Sequence, residues 1–185
     1  MRSKFIAKKL LDSKIISVEE VEIVQYGLEA IVSNFTGLAI TLAIGSCFGY
    51  TGESIILWLL LFLLRKNAGG YHAETRKKCI FCSTVILIVS FILYTQINWF
   101  QYISLEISIL LASIIFFMAP VESANMRLDM TEKIVYRKRT RIVLLVQILI
   151  LFVSILLSWE RMIEMISICF FVVGVSLLIG KLKLR

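Results

Sequence analysis

The residues 142–159, IVLLVQILILFVSILLSW, contain no charged side chain and decide the class of fold. A helix needs roughly 20 mostly apolar residues to cross a bilayer. The whole chain is 59% hydrophobic with a mean hydropathy of +0.89, well above the apolar content of an average soluble domain. We therefore predict an all-α integral membrane protein with about six transmembrane helices. The other charge-free windows are 30–52, 54–64, 80–105, 107–121 and 165–180.

The window at 54–64, SIILWLLLFLL, is too short to cross a bilayer by itself. It can span only if its helix recruits residues 50–53 at one end and residues 65–68 at the other. The windows at 107–121 and 165–180 are slightly short as well, and each can borrow flanking residues.

The positive charges follow these windows in a regular way, because successive connections alternate between many cations and almost none. If six helices cross, nineteen of the twenty Lys and Arg side chains fall on one side, and Arg161 alone falls on the other. The positive-inside rule then places both termini and both long connections in the cytoplasm. This placement explains the net charge of +7 without nucleic acid as a partner.

We predict a single polytopic membrane domain over residues 1–185 that begins with an amphipathic segment, residues 1–29. Its apolar side chains recur close to helical spacing, and its basic side chains lie on the opposite face. This pattern is typical of helices that lie on an anionic lipid surface. Ser17 followed by Glu20 is the pattern of a capping box, so we expect a helix to begin near Val18 and to continue into the first span.

The four cysteines do not form the framework of a secreted disulfide protein. Cys47 and Cys169 lie inside apolar runs, where we expect them to pack as small buried hydrophobic residues. Cys79 and Cys82 form a Cys-x-x-C pattern, which leaves open a redox pair, or a metal site completed by His72. No strand pattern surrounds the pair, and four good metal ligands are not available.

The stretch NAGGYHAETRKKC, residues 67–79, holds the only histidine of the chain, His72, together with Cys79. It is either a plain polar connection or a site in which Cys79 is a nucleophile and His72 its base. Neighbouring cations and a helix N-terminus both favour the thiolate. A continuous helix would hold positions 72 and 79 roughly 10 Å apart, so a dyad requires a bend between them. Gly69 and Gly70 permit a sharp turn just before the histidine.

The pattern R-x-x-x-G-G-x-H-A at residues 65–73, with a Cys seven positions after the His, resembles the AgrB family (accessory gene regulator protein B). The segment A-P-V-E-x-x-N at residues 119–125 resembles the second cytoplasmic loop of the same family. Many members continue with Lys-Pro, whereas this chain has Met126 and Arg127. The resemblance extends over essentially the whole chain, including its length, amphipathic start and about six spans.

The resemblance implies a membrane cysteine endopeptidase of a Gram-positive cell membrane, with its active site facing the cytoplasm. It would cleave the C-terminal tail from an AgrD-like autoinducing-peptide precursor through a thioester on Cys79, with His72 as general base and acid. A Cys or Ser of the signal segment would then close a thiolactone or lactone for quorum sensing. The site would lie in the cytoplasmic loop 65–79, and 122–141 would form a second basic loop.

Further residues are expected to support the site or bind substrate, and neither a cofactor nor a metal is expected. An acidic propeptide tail would be attracted to the basic loops, the lipid bilayer would bind the apolar surface, and the family favours a homodimer. A small transporter or exporter and a non-catalytic membrane adaptor remain as alternatives. The supporting residues are Arg65, Gly69, Gly70, Lys77 and Lys78.

Overall fold

Helices account for almost all of the chain that the structure describes. A computed structural model describes residues 2–13, 15–70, 76–95, 97–122 and 128–183. These residues form no strand beyond one isolated bridge, so the predicted all-α class is confirmed. The helices are α1 (Arg2–Asp12), a 3-10 turn (Val18–Glu20), α2 (Val21–Cys47), α3 (Thr51–Ala68), α4 (Arg76–Thr95), α5 (Ile97–Met118), α6 (Met130–Leu156) and α7 (Glu160–Lys183).

The charge-free windows mark the helices but not all of their ends. The window at 30–52 runs past the end of α2 at Cys47 and into α3, which begins at Thr51. α3 extends the short window 54–64 at both ends, as its length required, and reaches from Thr51 to Ala68. The window at 80–105 runs past the end of α4 at Thr95 and into α5, which begins at Ile97. A charge-free window therefore marks an apolar stretch of sequence. It does not show where one helix ends and the next begins when the connection between them carries no charge.

Three segments are long and apolar enough to cross a bilayer: Val18–Cys47, Met130–Leu156 and Glu160–Leu182. Two shorter apolar segments, Ile80–Thr95 and Leu105–Met118, accompany them. The protein is therefore an all-α membrane protein, while the crossing of all six helices and the side of each terminus stay predictions. Large apolar side chains on α6 are exposed, as expected for a surface that faces lipid: Leu145, Leu149, Phe152 and Leu156.

Contacts within the chain group it into two units, Met1–Ile40 and Thr41–Arg185. The first unit contains α1, the 3-10 turn and the first part of α2. In it the Glu20 carboxylate accepts hydrogen bonds from the Ser17 backbone N–H (2.8 Å) and the Ser17 hydroxyl (3.0 Å). These bonds belong to a capping box, so the predicted capping box is confirmed. The helix also begins near Val18 as expected, because the turn that starts there continues directly into α2.

In the second unit α7 occupies the centre and packs against α3, α4, α5 and α6. Seven consecutive residues, Glu164 to Phe170, are buried, and a helix buried over more than a full turn is covered on every side. Gly174 allows α5 to approach closely, since a Cβ there would lie 2.7 Å from Leu111 Cδ2. The surrounding helices are therefore positioned by their contacts with α7.

A buried glutamine links three helices of this unit. Gln147 of α6 donates from Nε2 to the Leu60 carbonyl of α3 at 3.0 Å, which satisfies its amide in an apolar environment. The Sγ of Cys169 on α7 lies 4.0 Å from the Gln147 Oε1. The expected burial of Cys169 is thus confirmed, whereas that of Cys47 was wrong: Cys47 is exposed at the last turn of α2.

The turn between α2 and α3 also depends on a residue without a side chain. A Cβ at Gly45 would lie 2.4 Å from Ser54 Cβ and 3.1 Å from the Tyr50 carbonyl oxygen. Ser54 is held in turn by a hydrogen bond from its hydroxyl to the Thr51 carbonyl at 2.7 Å. The end of α2 and the start of α3 can therefore pack only with glycine at position 45.

We predict that Gly45→Ala destabilises the protein by about 1–3 kcal/mol, because an added methyl group forces two helices apart. Gly27→Ala in the same helix is the matched control. A Cβ there meets no atom within 4 Å, and the change should stabilise by about 0.5–1 kcal/mol through helix propensity. Thermal unfolding in detergent micelles measures both, and an equal Tm for the two variants would contradict the packing described.

We also predict that loss of the Glu20 side chain frays the start of α2. The Glu20 carboxylate accepts hydrogen bonds from the Ser17 backbone N–H and hydroxyl, and such a capping box stabilises the first turn of a helix. Hydrogen exchange of the amides at the start of α2 should therefore be faster in Glu20→Ala than in the wild type, and Glu20→Gln should retain much of the protection. Equal exchange in Glu20→Ala and the wild type would contradict the cap.

Candidate active site

The connection after α3 pairs with the connection after α5. The Gly70 N–H donates to the Val121 carbonyl at 3.2 Å, and the Val121 N–H donates to the Ala68 carbonyl at 3.0 Å. Together the bonds form one parallel bridge between Gly69 and Val121. The G-G pair of the first motif is therefore joined to the A-P-V-E segment of the second.

Both glycines of this pairing are required by backbone angle and by space. Gly69 has φ +71° and Gly70 has φ +112°, in the region that side chains rarely adopt. A Cβ at Gly69 would lie 2.3 Å from the Val121 carbonyl oxygen. At Gly70 a Cβ would lie 2.8 Å from the Ser176 Oγ of α7. The sharp turn expected here is present, and it is held between the end of α5 and the second half of α7.

Cys79 is the fourth residue of α4, which begins at Arg76. The first turn of a helix carries unpaired N–H groups and a partial positive charge. No acidic residue lies in this turn, while Lys77 and Lys78 directly precede the cysteine. Lys78 is exposed. A helix N-terminus and neighbouring cations are surroundings that in general favour the thiolate, the nucleophilic form of cysteine. The reactivity of Cys79 stays a prediction.

His72 lies in residues 71–75, outside the part of the chain that the structure describes. The contact between the imidazole and the Cys79 thiol stays a prediction, as does the bend that it requires.

The segment 65–79, predicted as one loop, begins and ends inside helices. Arg65 and Lys66 belong to the last turn of α3, and Arg76 to Cys79 form the first turn of α4. Arg65 is half-buried. The Lys66 ammonium lies 5.6 Å from the centre of the Phe62 ring, a cation–π contact along α3.

The segment 122–141, predicted as a second basic loop, is helical from Met130 onward. Asp129 and Glu132 form a capping box, in which the Asp129 N–H donates to Glu132 Oε2 at 3.0 Å. The same four-residue signal is readable in the sequence, as it was at Ser17. The basic residues after Glu132 are therefore displayed on α6 and not on a loop.

Two contacts join this basic part of α6 to its surroundings. Lys133 pairs with Glu122, which follows directly after Val121. The Arg141 guanidinium lies 4.3 Å from the centre of the Phe116 ring on α5. The other cations in this part of α6 are exposed: Arg137, Lys138 and Arg139.

The fold is that of a helical membrane protein in which the connections after α3 and α5 are paired, and a candidate nucleophile, Cys79, lies in the first turn of α4. The profile of the AgrB family, Accessory gene regulator B, matches residues 3–179. The chain belongs to the AgrB family, as its motifs predicted.

Three AgrB-like proteins of Clostridium perfringens are similar to the chain. One from strain SM101 and AgrB-like protein 2 of strain 13 are each 28% identical over 130 residues, which cover 66% of this chain and 61% of the relative. AgrB-like protein 1 of strain 13 is 29% identical over 105 residues, covering 56% of this chain and 53% of the relative. The chain thus spans less than two thirds of each relative's length. No solved structure matches it.

We predict that Gly69→Ala releases the bridge between the two connections. The added methyl group would collide with the Val121 carbonyl, so the amides of Gly70 and Val121 should exchange hydrogen about tenfold faster, equivalent to losing one hydrogen bond. Gly49→Ala is the matched control, because Gly49 has a similar φ of +80° but open space around its Cα. Unchanged exchange at Val121 in Gly69→Ala would contradict the pairing.

Proposed function

We propose that this chain is a membrane cysteine endopeptidase that cleaves a propeptide and closes the released signal segment into a ring. The observation that carries the proposal is the position of Cys79 in the first turn of α4, beside cations. Membership in the AgrB family supports a peptide-processing activity of this kind. The proposed substrate is an autoinducing-peptide precursor, and the proposed setting is the cell membrane of a Gram-positive bacterium.

In the first step the Cys79 sulfur attacks the carbonyl carbon of the peptide bond between the signal segment and the tail. The carbon–sulfur bond forms and the carbon–nitrogen bond breaks, which leaves a thioester on the enzyme. His72 takes the proton from the thiol and gives it to the departing amine. The tail leaves with a free amino group, so no proton is gained or lost overall.

In the second step a thiol or hydroxyl of the signal segment attacks the same carbonyl carbon. A new thioester or ester closes the ring, and Cys79 recovers its proton through His72. Exchange of one thioester for another leaves the bond type unchanged, so this step needs no ATP. Water competes for the thioester, and a site with little water access favours cyclisation over hydrolysis.

The exposed cations offer a means of attracting an acidic tail. Lys78 precedes the cysteine, and Arg137, Lys138 and Arg139 form an exposed basic group on α6. Opposite charges raise the rate of encounter, and added salt weakens the effect. The same cations also suit a membrane surface on the cytoplasmic side. A salt-dependent KM with a constant kcat would separate substrate attraction from lipid binding.

Two other functions make different demands on the same residues. A transporter or exporter requires ionisable groups along a path through the bundle. Gln147 is uncharged, and Glu164, near the start of α7, is a buried ionisable residue in the part of the chain that the structure describes. A membrane adaptor requires its basic surface and no reactive thiol. Substitution of Cys79 distinguishes both from an enzyme, and homodimer formation is a separate expectation.

We predict that Cys79→Ala and His72→Ala each lower tail release by about 10³-fold or more, because residues of a catalytic pair act as one unit. The assay uses membranes that contain the full chain and a tagged propeptide encoded beside it. Tail release is followed on gels and by mass spectrometry. Cys47→Ala is the control, because it removes an exposed thiol that lies far from Cys79 in the sequence.

Cys82→Ala decides between the remaining interpretations of the cysteine pair. Cleavage that survives this change, but not Cys79→Ala, agrees with a single nucleophile. Equal losses in both variants would indicate a site made of the Cys-x-x-C pair. Full cleavage by Cys79→Ala would sink the endopeptidase proposal and favour the transporter or adaptor.

A further inference from the structure

Two buried polar side chains lie at the end of the second unit that is remote from the Gly69–Val121 bridge. Glu164, near the start of α7, is 1% exposed, and neither of its carboxylate oxygens has a hydrogen-bond partner among the described residues. Tyr94, near the end of α4, is 3% exposed, and its hydroxyl has no partner among these residues either. Buried polar groups are as a rule hydrogen-bonded, so each of these side chains is suited to a ligand.

The two side chains share one electrostatic environment. Tyr94 is within range of the Glu164 charge, and also of the charges of Glu53 and Arg161. The ring of Tyr94 meets the ring of Tyr50 edge-to-face, with 5.0 Å between their centres. The end of α4, the start of α7, the start of α3 and the turn before α3 therefore meet at this place.

The Glu164 carboxylate is not paired with a cation among the described residues. Arg161, three positions earlier on α7, pairs instead with Glu53, and its Nη1 lies 2.9 Å from the Glu53 Oε1. Because that pair is neutral as a whole, the negative charge of Glu164 is left over, and burying an unpaired carboxylate is very unfavourable. The remaining charged group that acts on Glu164 is Glu160, which is exposed and also negative. The site therefore requires a positive ligand.

We propose that Glu164 and Tyr94 bind a monovalent metal cation, Na⁺ or K⁺, between the start of α7 and the end of α4. The carboxylate supplies the charge, and the phenol oxygen supplies a neutral ligand. The site lies at the opposite end of α4 from Cys79. The inference goes beyond the proposed endopeptidase function and does not depend on it.

The charge and the ligands select a monovalent ion. Calcium binds several oxygen ligands, and zinc prefers Cys and His. The described residues contain no group of three or more His, Cys, Asp or Glu that could hold a metal ion of this kind. A proton would also neutralise Glu164. It would leave the Tyr94 hydroxyl without a partner, because the two groups make no hydrogen bond to each other. A cation can take oxygen ligands from both.

A pocket beside the site provides a route for the ion. Its volume is about 300 Å³, and Glu53, Arg161 and Trp159 line it. Arg161 is exposed, so the pocket reaches the surface of the chain. Met165, which follows Glu164 directly, also lines the pocket. A cation can therefore approach from the surface to within one residue of the buried carboxylate.

Thermal unfolding of the purified full chain in micelles tests the site. Tm is measured at pH 8, where protons compete least for a carboxylate, in sodium, potassium or N-methylglucamine chloride of equal ionic strength. An ion that binds the folded state raises Tm by mass action. Sodium or potassium at about a hundredfold its Kd should raise Tm by about 5 °C or more above the value in N-methylglucamine. Radioactive sodium should bind the same chain and be displaced by unlabelled sodium.

Glu164→Gln should remove this rise in Tm and the binding of radioactive sodium, because the amide has a similar shape and no charge. Its Tm in N-methylglucamine should equal or exceed that of the wild type, since an unpaired buried charge is gone. Glu160→Gln is the matched control, because Glu160 is exposed on the same helix, and it should keep the full rise. Tyr94→Phe should increase the sodium concentration needed for half of the rise.

Equal Tm values of the wild type in all three salts, without sodium binding, would overturn the cation site and assign Glu164 to a proton or a water molecule. A full rise in Glu164→Gln would place the ion elsewhere and overturn the site as well. An unchanged half-point in Tyr94→Phe would overturn the role of the phenol oxygen. None of these measurements involves cleavage, so their failure is distinguishable from failure of the endopeptidase proposal.

Discussion

A helix that ends in apolar surroundings leaves backbone groups that must find partners, and each unpaired group there costs several kcal/mol. α3 and α5 meet this constraint together, because the Ala68 carbonyl and the Gly70 N–H both bond Val121. The approach is so close that no Cβ fits at Gly69, and Gly70 leaves room for Ser176 of α7. The ends of two helices and the side of a third are thereby joined, and the chain leaves this junction two residues before His72.

The candidate site consequently combines a fixed junction with the start of a helix. The junction is built from neutral backbone groups and glycines, whereas the start of α4 supplies positive charge and the Cys79 thiol. These elements serve different chemical needs, since orientation of a substrate carbonyl and activation of a nucleophile are separate contributions to catalysis. The proposed endopeptidase function gives these features a common purpose.

The helices and their caps could be predicted from the sequence, because they depend on residues that lie close together in the chain. Apolar runs predict the helices, and Ser17 with Glu20 predicts the start of the first long one. The short window 54–64 predicts a helix that extends into residues 50–53 and 65–68 if it spans, and α3 extends at both ends. The Asp129–Glu132 cap follows the same rule and is readable in the sequence, but the prediction of a loop over 122–141 is wrong from Met130 onward, where α6 begins. The Gly69–Val121 bridge was not readable, since it joins backbone groups of residues far apart in the chain.

The central claim is that Cys79 carries the signal segment as a thioester, and the most direct test is the mass of the intact protein. Full chain and propeptide are mixed in proteoliposomes, quenched in acid during the first turnovers, and analysed by intact-mass and peptide mass spectrometry. The account predicts an adduct equal to the propeptide without its tail, located on Cys79 and removed by neutral hydroxylamine. Tail release without any adduct in the first turnovers, or an adduct on Cys82, would contradict it.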